Sequence, residues 1–267
     1  MIVMTGGTGY IGKTFANLVR EKTDWSIICL NHSQWDFRHP WPIGDAVPKA
    51  KYFVHFGANV AARQSIDFPG LFVADNVVGT FNVLELARKI KPYLFVYISS
   101  AEALGGCEEG YLHEGAEMRP SNPYAATKGC GELLTYSYFR SYGLPAITVR
   151  TQGVWGLDQS DPTKYASIVR NSLQKGEPVK IHARNGKIGS RQWIEGPDFA
   201  QRLLDLLPVA KAGETYHIVG QEQDNIQQAQ VIADRLGVPL KYELIEMSAT
   251  HEFRYALVNT KREANPQ

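Results

Sequence analysis

Ser100, Glu102, Tyr124 and Lys128 are residues whose types and spacing point to chemistry. Ser100 follows the apolar run YLFVYIS (93–99), which reads as a buried strand, so its hydroxyl stands at a strand end. Glu102 comes two residues later, with Ala101 between them. Tyr124 and Lys128 occur in NPYAATKGCGELL, four positions apart. On a helix, that spacing places both on one face. An ammonium one turn from a phenol favours the phenolate and is expected to lower the pKa of Tyr124. The phenolate can take a proton from an alcohol. The same lysine can hold a nicotinamide ribose.

A second chemical pattern opens the chain. TGGTGYIG places glycines at Gly6, Gly9 and Gly12 directly after the apolar run IVMT (2–5). Gly6 allows a tight strand-to-helix turn, and Gly9 lets backbone approach a pyrophosphate. Gly12 lets the helix pack closely on the sheet, while the helix N-terminus offers N–H groups to the anion. Position after a strand and before a helix makes this a dinucleotide site, with Tyr10 and Ile11 in the same loop. At the end of the second strand, Asn31 can bond a ribose hydroxyl but does not repel a phosphate as Asp would. His32 would attract one. The expected cofactor is NAD, with NADP left open. Asp36 and Phe37 are expected in a loop after the third strand, where they could meet adenine.

These groups need a frame. Apolar runs at IVMT, SIICL (26–30), YFVHFG (52–57) and YLFVYIS alternate with helical stretches KTFANLVREK (13–22) and NVVGTFNVLELARKI (76–90). In the latter, Val77, Phe81, Leu84 and Ala87–Arg88 follow a helical period. Strands alternating with amphipathic helices predict βαβ units and a parallel sheet, with AITVRT (146–151) as a further strand. The segment between SIICL and YFVHFG is short and holds Trp35, Pro40, Trp41, Pro42 and Pro48, so it reads as an abbreviated strand and loop. Beyond residue 156 come a helix (TKYASIVRNSLQKGE), a hairpin-like region (KIHARNGKIGSRQWI), a helix (PDFAQRLLDLL), a strand (ETYHIVG) and a helix ended by Gly237. The expected fold is α/β, a doubly wound parallel (Rossmann) sheet with a small α+β substrate-binding lobe. Residues 1–156 would form the dinucleotide-binding domain. Residues 157–267 would be mainly the lobe, with part of 190–220 returning to the sheet.

The 28 basic and 27 acidic residues of the 267-residue chain are well mixed, so nucleic acid is not an expected partner. No apolar stretch approaches the roughly 18 residues of a membrane span, and the start does not resemble a signal peptide. Three widely spaced cysteines predict reduced thiols and a cytoplasmic protein. The seven histidines form no ligand-like cluster, so no metal site is expected.

Taken in order, TGGTGYIG, HFGANVAARQSIDFP, DNVVGTFNVLELARK, YISSAEALGG, PYAATKGCGE, FRSYGLPAITVR and SRQWI resemble the extended short-chain dehydrogenase/reductases, specifically the NAD-dependent epimerase/dehydratase family. AGETYHIVG, NIQQAQVIADRLG and HEFRYALVNTK look most like its dTDP-glucose 4,6-dehydratase branch. The resemblance implies a nucleotide-sugar substrate, carbohydrate biosynthesis, and a homodimer joined through 75–89 and 128–139. It implies that Ser100, Tyr124 and Lys128 serve an oxidation at sugar C4, and that Arg191 and Arg254 hold the diphosphate. It also gives Glu102 the work of a base at C5–H, although Glu102 could equally line the site or touch a substrate hydroxyl.

Several positions depart from the family pattern. Ala101 stands where an acid often protonates the leaving hydroxyl, Leu104 replaces a tyrosine, Gly153 replaces an asparagine that contacts phosphates, and Trp155 replaces another tyrosine. The expected activity is a 4,6-dehydratase-like lyase reaction. The alternatives are a 4-epimerase (an isomerase), a C5 decarboxylase, and a cofactor-binding sensor without turnover.

Overall fold

A computed structural model of the chain describes residues 1–42, 49–246 and 252–261. Pro48 of the abbreviated segment lies outside the described residues.

The first half runs β1 (Ile2–Thr5), α1 (Tyr10–Lys22), β2 (Ile27–Leu30) and β3 (Tyr52–His55). A helical run then takes in α2 (Gln64–Asp67), α3 (Pro69–Phe72), a π-helical stretch Val73–Val78 and α4 (Gly79–Ile90). After it come β4 (Leu94–Ser100), a 3-10 turn Ala101–Leu104, α5 (Pro123–Tyr142) and β5 (Ala146–Thr151). The second half holds β6 (Val154–Trp155), α6 (Tyr165–Gln174), β7 (Val179–Arg184), β8 (Lys187–Ile188) and β9 (Ser190–Glu195). It ends with α7 (Gly196–Leu206), β10 (Thr215–Ile218), β11 (Gln221–Asp224), α8 (Asn225–Leu236) and β12 (Tyr242–Glu246).

Six strands form one parallel sheet in the order β10-β5-β4-β3-β1-β2. β1, β3, β4 and β5 are buried at every residue, as strands covered on both faces must be. On one face Phe15 and Val19 of α1 pack with Phe199 and Leu203 of α7. On the other, Val83, Leu84 and Leu86 of α4 pack with Tyr138 of α5. The chain passes from β1 to β2 on one side and to β3 on the other. The strand order therefore reverses at β1, and a crevice opens beyond the strands' carboxyl ends.

Two three-stranded sheets, β11-β9-β6 and β12-β7-β8, lie outside it. A third core of Val169, Leu173, Val179, Ile181 and Ile232 joins α6, β7 and α8. The expected hairpin is β7–β8, turned by Asn185 and Gly186, both at positive φ. β9 belongs to the other sheet.

Three expectations are corrected. Between β2 and β3 the described residues contain no strand, so Asp36 and Phe37 follow the second strand rather than a third. Phe81 lies outward, 43% exposed, and the buried stripe of α4 is Val83, Leu84, Leu86 and Ala87. The helical run Pro69–Ile90 is also long and apolar enough, at mean hydropathy 1.2, to pass as a membrane span by length and composition. Half of its most apolar window is buried within the protein.

Candidate active site

β1, β3, β4 and β5 all end at one cleft of about 780 Å³. The turn after β1 brings in Gly6, Gly9, Tyr10, Ile11 and Gly12; β4 brings Ser100 and the 3-10 turn after it Glu102; α5 brings Tyr124 and Lys128.

The glycine loop has the shape a dinucleotide needs. Gly6 has φ +71°, and a Cβ there would lie 2.7 Å from Gly57 N. A Cβ on Gly12 would lie 2.4 Å from the Gly6 carbonyl oxygen, so α1 closes tightly on the turn. At Gly9 a Cβ would meet only the Gly6 oxygen, at 3.4 Å, so the fold itself does not require glycine there. The space it leaves belongs to the cleft. No side chain caps α1, and its first turn holds no acid, leaving its N-terminus open to an anion. Tyr10 turns away from solvent to donate to the Trp155 carbonyl at 2.9 Å.

At the far end of the cleft stand Asn31, His32, Phe37 and Arg38. Asn31 Oδ1 accepts from Ser33 N at 3.1 Å and from the Ser33 hydroxyl at 2.6 Å. Asp36 is not in the cleft wall. It is clamped by Arg38, whose Nε and Nη2 donate to its two oxygens at 2.9–3.1 Å and 2.7 Å. Arg38 itself was not singled out by the sequence, although it immediately follows Phe37.

At the reacting end, the Ser100 hydroxyl accepts from Glu102 N at 3.2 Å and lies close enough to the Tyr124 phenol to act on its pKa. Tyr124 is held at the start of α5, where its N–H donates to Ser65 Oγ at 3.0 Å. The expected effect of Lys128 on Tyr124 does not occur in the cofactor-free protein. Burial and the neighbouring Glu102 carboxylate push the phenol pKa up, with Ser100 acting in the opposite direction. Lys128 instead donates to the Ile98 carbonyl at 2.6 Å, and its own pKa falls to about 7 through burial, opposed by Glu132.

Glu102 accepts at Oε2 from Asn122 Nδ2 at 3.2 Å. Asn122 also caps α5, accepting from Ala125 N at 2.8 Å, so one side chain sets both the helix start and the carboxyl. Burial raises the Glu102 pKa, while Asn122, Arg191 and Lys164 hold it back. Ala101 packs with Leu104 and Leu257 and is fully buried.

The two arginines part company. Arg191 is half-buried near Glu102, its Nη atoms donating to the carbonyls of Ser190, Phe253 and Glu252 at 2.7–2.9 Å. Neither arginine is in the cleft wall itself, and Arg254 is paired with Glu222 at 2.5 and 2.8 Å. The next residue, Tyr255, stands close enough to both Glu102 and Arg191 for their charges to act on its phenol. At Gly153, with φ +57°, a Cβ would lie 2.4 Å from the Gln192 carbonyl oxygen, so β9 leaves no room for an asparagine.

Residues 2–219 match the NAD dependent epimerase/dehydratase family. The chain belongs to that family. With that membership comes an NAD-dependent enzyme, and the loop geometry above fits the dinucleotide. Among its relatives, the low-salt glycan biosynthesis protein Agl12 of Haloferax volcanii is 29% identical, covering 98% of this chain and 91% of that one. A dTDP-glucose 4,6-dehydratase of Streptomyces niveus is 28% identical, covering 97% and 85%. The crystal structure of DesIV, a dTDP-glucose 4,6-dehydratase from Streptomyces venezuelae solved with NAD and TYD bound, superposes with a TM-score of 0.87. It is 24% identical and covers 100% of this chain and 92% of its own, which shows the shared fold.

Proposed function

We propose that this family member is a nucleotide-sugar 4,6-dehydratase in which Glu102 removes the C5 proton. The observation that carries the reading is the Glu102 carboxyl. It is oriented by Asn122, raised in pKa by burial, and set in one cleft with Ser100 and Tyr124. A carboxylate beside an enolising carbon has work to do, whereas inversion at C4 needs none. A raised pKa also makes it a better proton acceptor. The 28% identity to a dTDP-glucose 4,6-dehydratase supports the same branch.

NAD, when bound, would supply the hydride acceptor for oxidation at C4 and the hydride donor for C6. Tyr124 takes the C4 hydroxyl proton, Ser100 hydrogen-bonds that oxygen, and Lys128 holds the nicotinamide ribose. Gly6, Gly9 and Gly12 cradle the pyrophosphate, and Asn31 and Phe37 face the adenosine half. The C4 ketone acidifies C5–H, Glu102 takes that proton, and water leaves across C5–C6. Arg191 guards the charge of Glu102. Arg254, tied to Glu222, is set aside as a diphosphate ligand.

The 4-epimerase reading is favoured by one observation: Ala101 carries no acid and faces an apolar cluster. Incubation of the enzyme with dTDP-glucose in deuterated water, read by NMR, tests the choice. The dehydratase gives a 6-deoxy-4-keto product with deuterium at C5. Glu102→Gln is expected to lose that product by a hundredfold or more, within the roughly 10²–10⁴ range of acid–base catalysis. Full dehydration by that variant overturns the reading, and C4 inversion without exchange selects the epimerase.

The same reading divides the chain into a dinucleotide domain, 1–156, and a mainly substrate-binding lobe, 157–267. β10, which joins the sheet, and α7, which packs on it, support the return of part of 190–220 to the first domain. Exposed Phe81 on α4 and Leu133 and Tyr136 on α5 support a homodimer through these helices. Free Cys29, Cys107 and Cys130 support a cytoplasmic location.

A further inference from the structure

Expelling water requires a proton as well as a base. Hydroxide is a poor leaving group, and a placed general acid contributes about 10²–10⁴-fold. Position 101 cannot supply it, because its methyl group faces Leu104 and Leu257 rather than the cleft.

Tyr255, outside the cleft lining and with a phenol pKa pushed up by burial and by Glu102, is a poor acid, and the other proton-bearing groups near Glu102 are engaged. Tyr124 serves the C4 oxygen. The Tyr165 hydroxyl donates to the Asn225 carbonyl. The Asp161 carboxylate accepts from Thr163 N at 2.9 Å and from its hydroxyl at 2.6 Å. Arg191 does not release a proton, and its Nη atoms are bound to backbone carbonyls.

Lys164 stands at the N-cap of α6, in the cleft wall with Glu102. Its Nζ donates to the Val60 carbonyl at 3.0 Å, which fixes the amine over the cleft. An ammonium has three N–H donors, so two remain. Lys164 and Glu102 share the cleft wall and act on each other's charge. Burial lowers the pKa of Lys164, easing proton release, while Asp161 and Glu102 oppose the shift.

We propose that Lys164 is the acid that protonates the departing C6 hydroxyl. This rests on the dehydratase reading. Glu102 takes the C5 proton, and the C–H electron pair becomes the C5–C6 double bond. The C6–O bond breaks, and its oxygen leaves with a proton from Lys164 as water. Neutral Lys164 regains a proton from solvent. Glu102 returns its proton to C5, and C6 is closed by the hydride first taken from C4. Sequence reading missed Lys164 because its partner Glu102 lies 62 positions away and no local pattern joins them.

The test is Lys164→Met and Lys164→Arg, incubated with dTDP-glucose in deuterated water and read by NMR of both product and recovered substrate. Arg keeps the charge but does not give up a proton. Both variants are expected to lose elimination about a hundredfold or more, while deuterium still enters C5 of recovered substrate near the wild-type rate. Should the Met variant fail to fold, the Arg variant carries the test. Wild-type elimination by Arg overturns the proposal. Equal loss of exchange and elimination overturns it too, by assigning Lys164 to binding. A wild-type enzyme that dehydrates without any C5 exchange overturns the Glu102 reading and this step with it. Failure of Lys164 alone leaves Glu102 standing.

Discussion

Lys128 Nζ donates to the Ile98 carbonyl at 2.6 Å and lies 4.5 Å from the Tyr97 ring centroid, so β4 itself holds the lysine two residues before Ser100. This burial takes the amine from an ordinary 10.5 to about 7.

The shift has a pH signature. The folded chain releases this proton near pH 7 and the unfolded chain near 10.5. Across that window the unfolded state binds more protons, so stability from this group rises with pH. Below pH 7 both states are protonated and the full burial penalty is present. Wild-type stability relative to Lys128→Met is therefore expected to climb from pH 7 to 10 in cofactor-free thermal melts. A flat difference refutes it.

Behind the site, Arg150 Nε and Nη2 clasp the Glu132 carboxylate at 2.7–3.1 Å, and Ser99 Oγ donates to the same carboxylate at 2.5 Å. Both charged residues are buried. Removing one partner strands a charge, at a cost of about 3–5 kcal/mol. Urea unfolding of Glu132→Gln and Arg150→Met should each show that loss. The double variant should lose less than the sum.

Gly6→Ala and Gly9→Ala should fail differently. The first forces a side chain into positive φ and against Gly57, costing about 1–3 kcal/mol in backbone strain alone. The second leaves the fold nearly unchanged, since its Cβ meets only one oxygen at ordinary contact. It should weaken NAD binding by about tenfold, or 1.4 kcal/mol, by calorimetry. Unaltered affinity would remove Gly9 from the pyrophosphate site.

Leu133, 63% exposed, and Phe81 together offer apolar surface on neighbouring helices. Phe81→Glu with Leu133→Glu should halve the mass seen by light scattering. Each exposed change should shift monomer stability by no more than about 0.5 kcal/mol. An unchanged mass removes this surface as the proposed dimer contact.

The glycine loop, Ser100, Tyr124 and Lys128 were legible because each sits on an element with a strong period: a buried strand, its following turn, or one helix face. What escaped was set by distance in sequence or by direction. Asn122 carried a signal, an N-cap residue before Pro123, but nothing local tied it to Glu102. Ser65, Lys164 and Tyr255 reach the site from loops and helix ends. The charge effect of Lys128 on Tyr124 followed from spacing alone, yet the Ile98 carbonyl took the lysine. Phe81 fitted the helical period on the outward side, where hydrophobicity does not mean core.

The wall beside Glu102 also has a history in time. Leu112 pairs with Leu257, Glu114 accepts from Thr260 at a separation of 146 residues, and Gln192 exchanges bonds with Leu257. Closing loops this long costs entropy before any contact rewards it. The Gly6–Gly9 hydrogen bond of the glycine turn closes within three residues, whereas the placement of Tyr255 depends on these late closures. During refolding, the ability to bind dinucleotide should therefore return before the ability to turn over sugar.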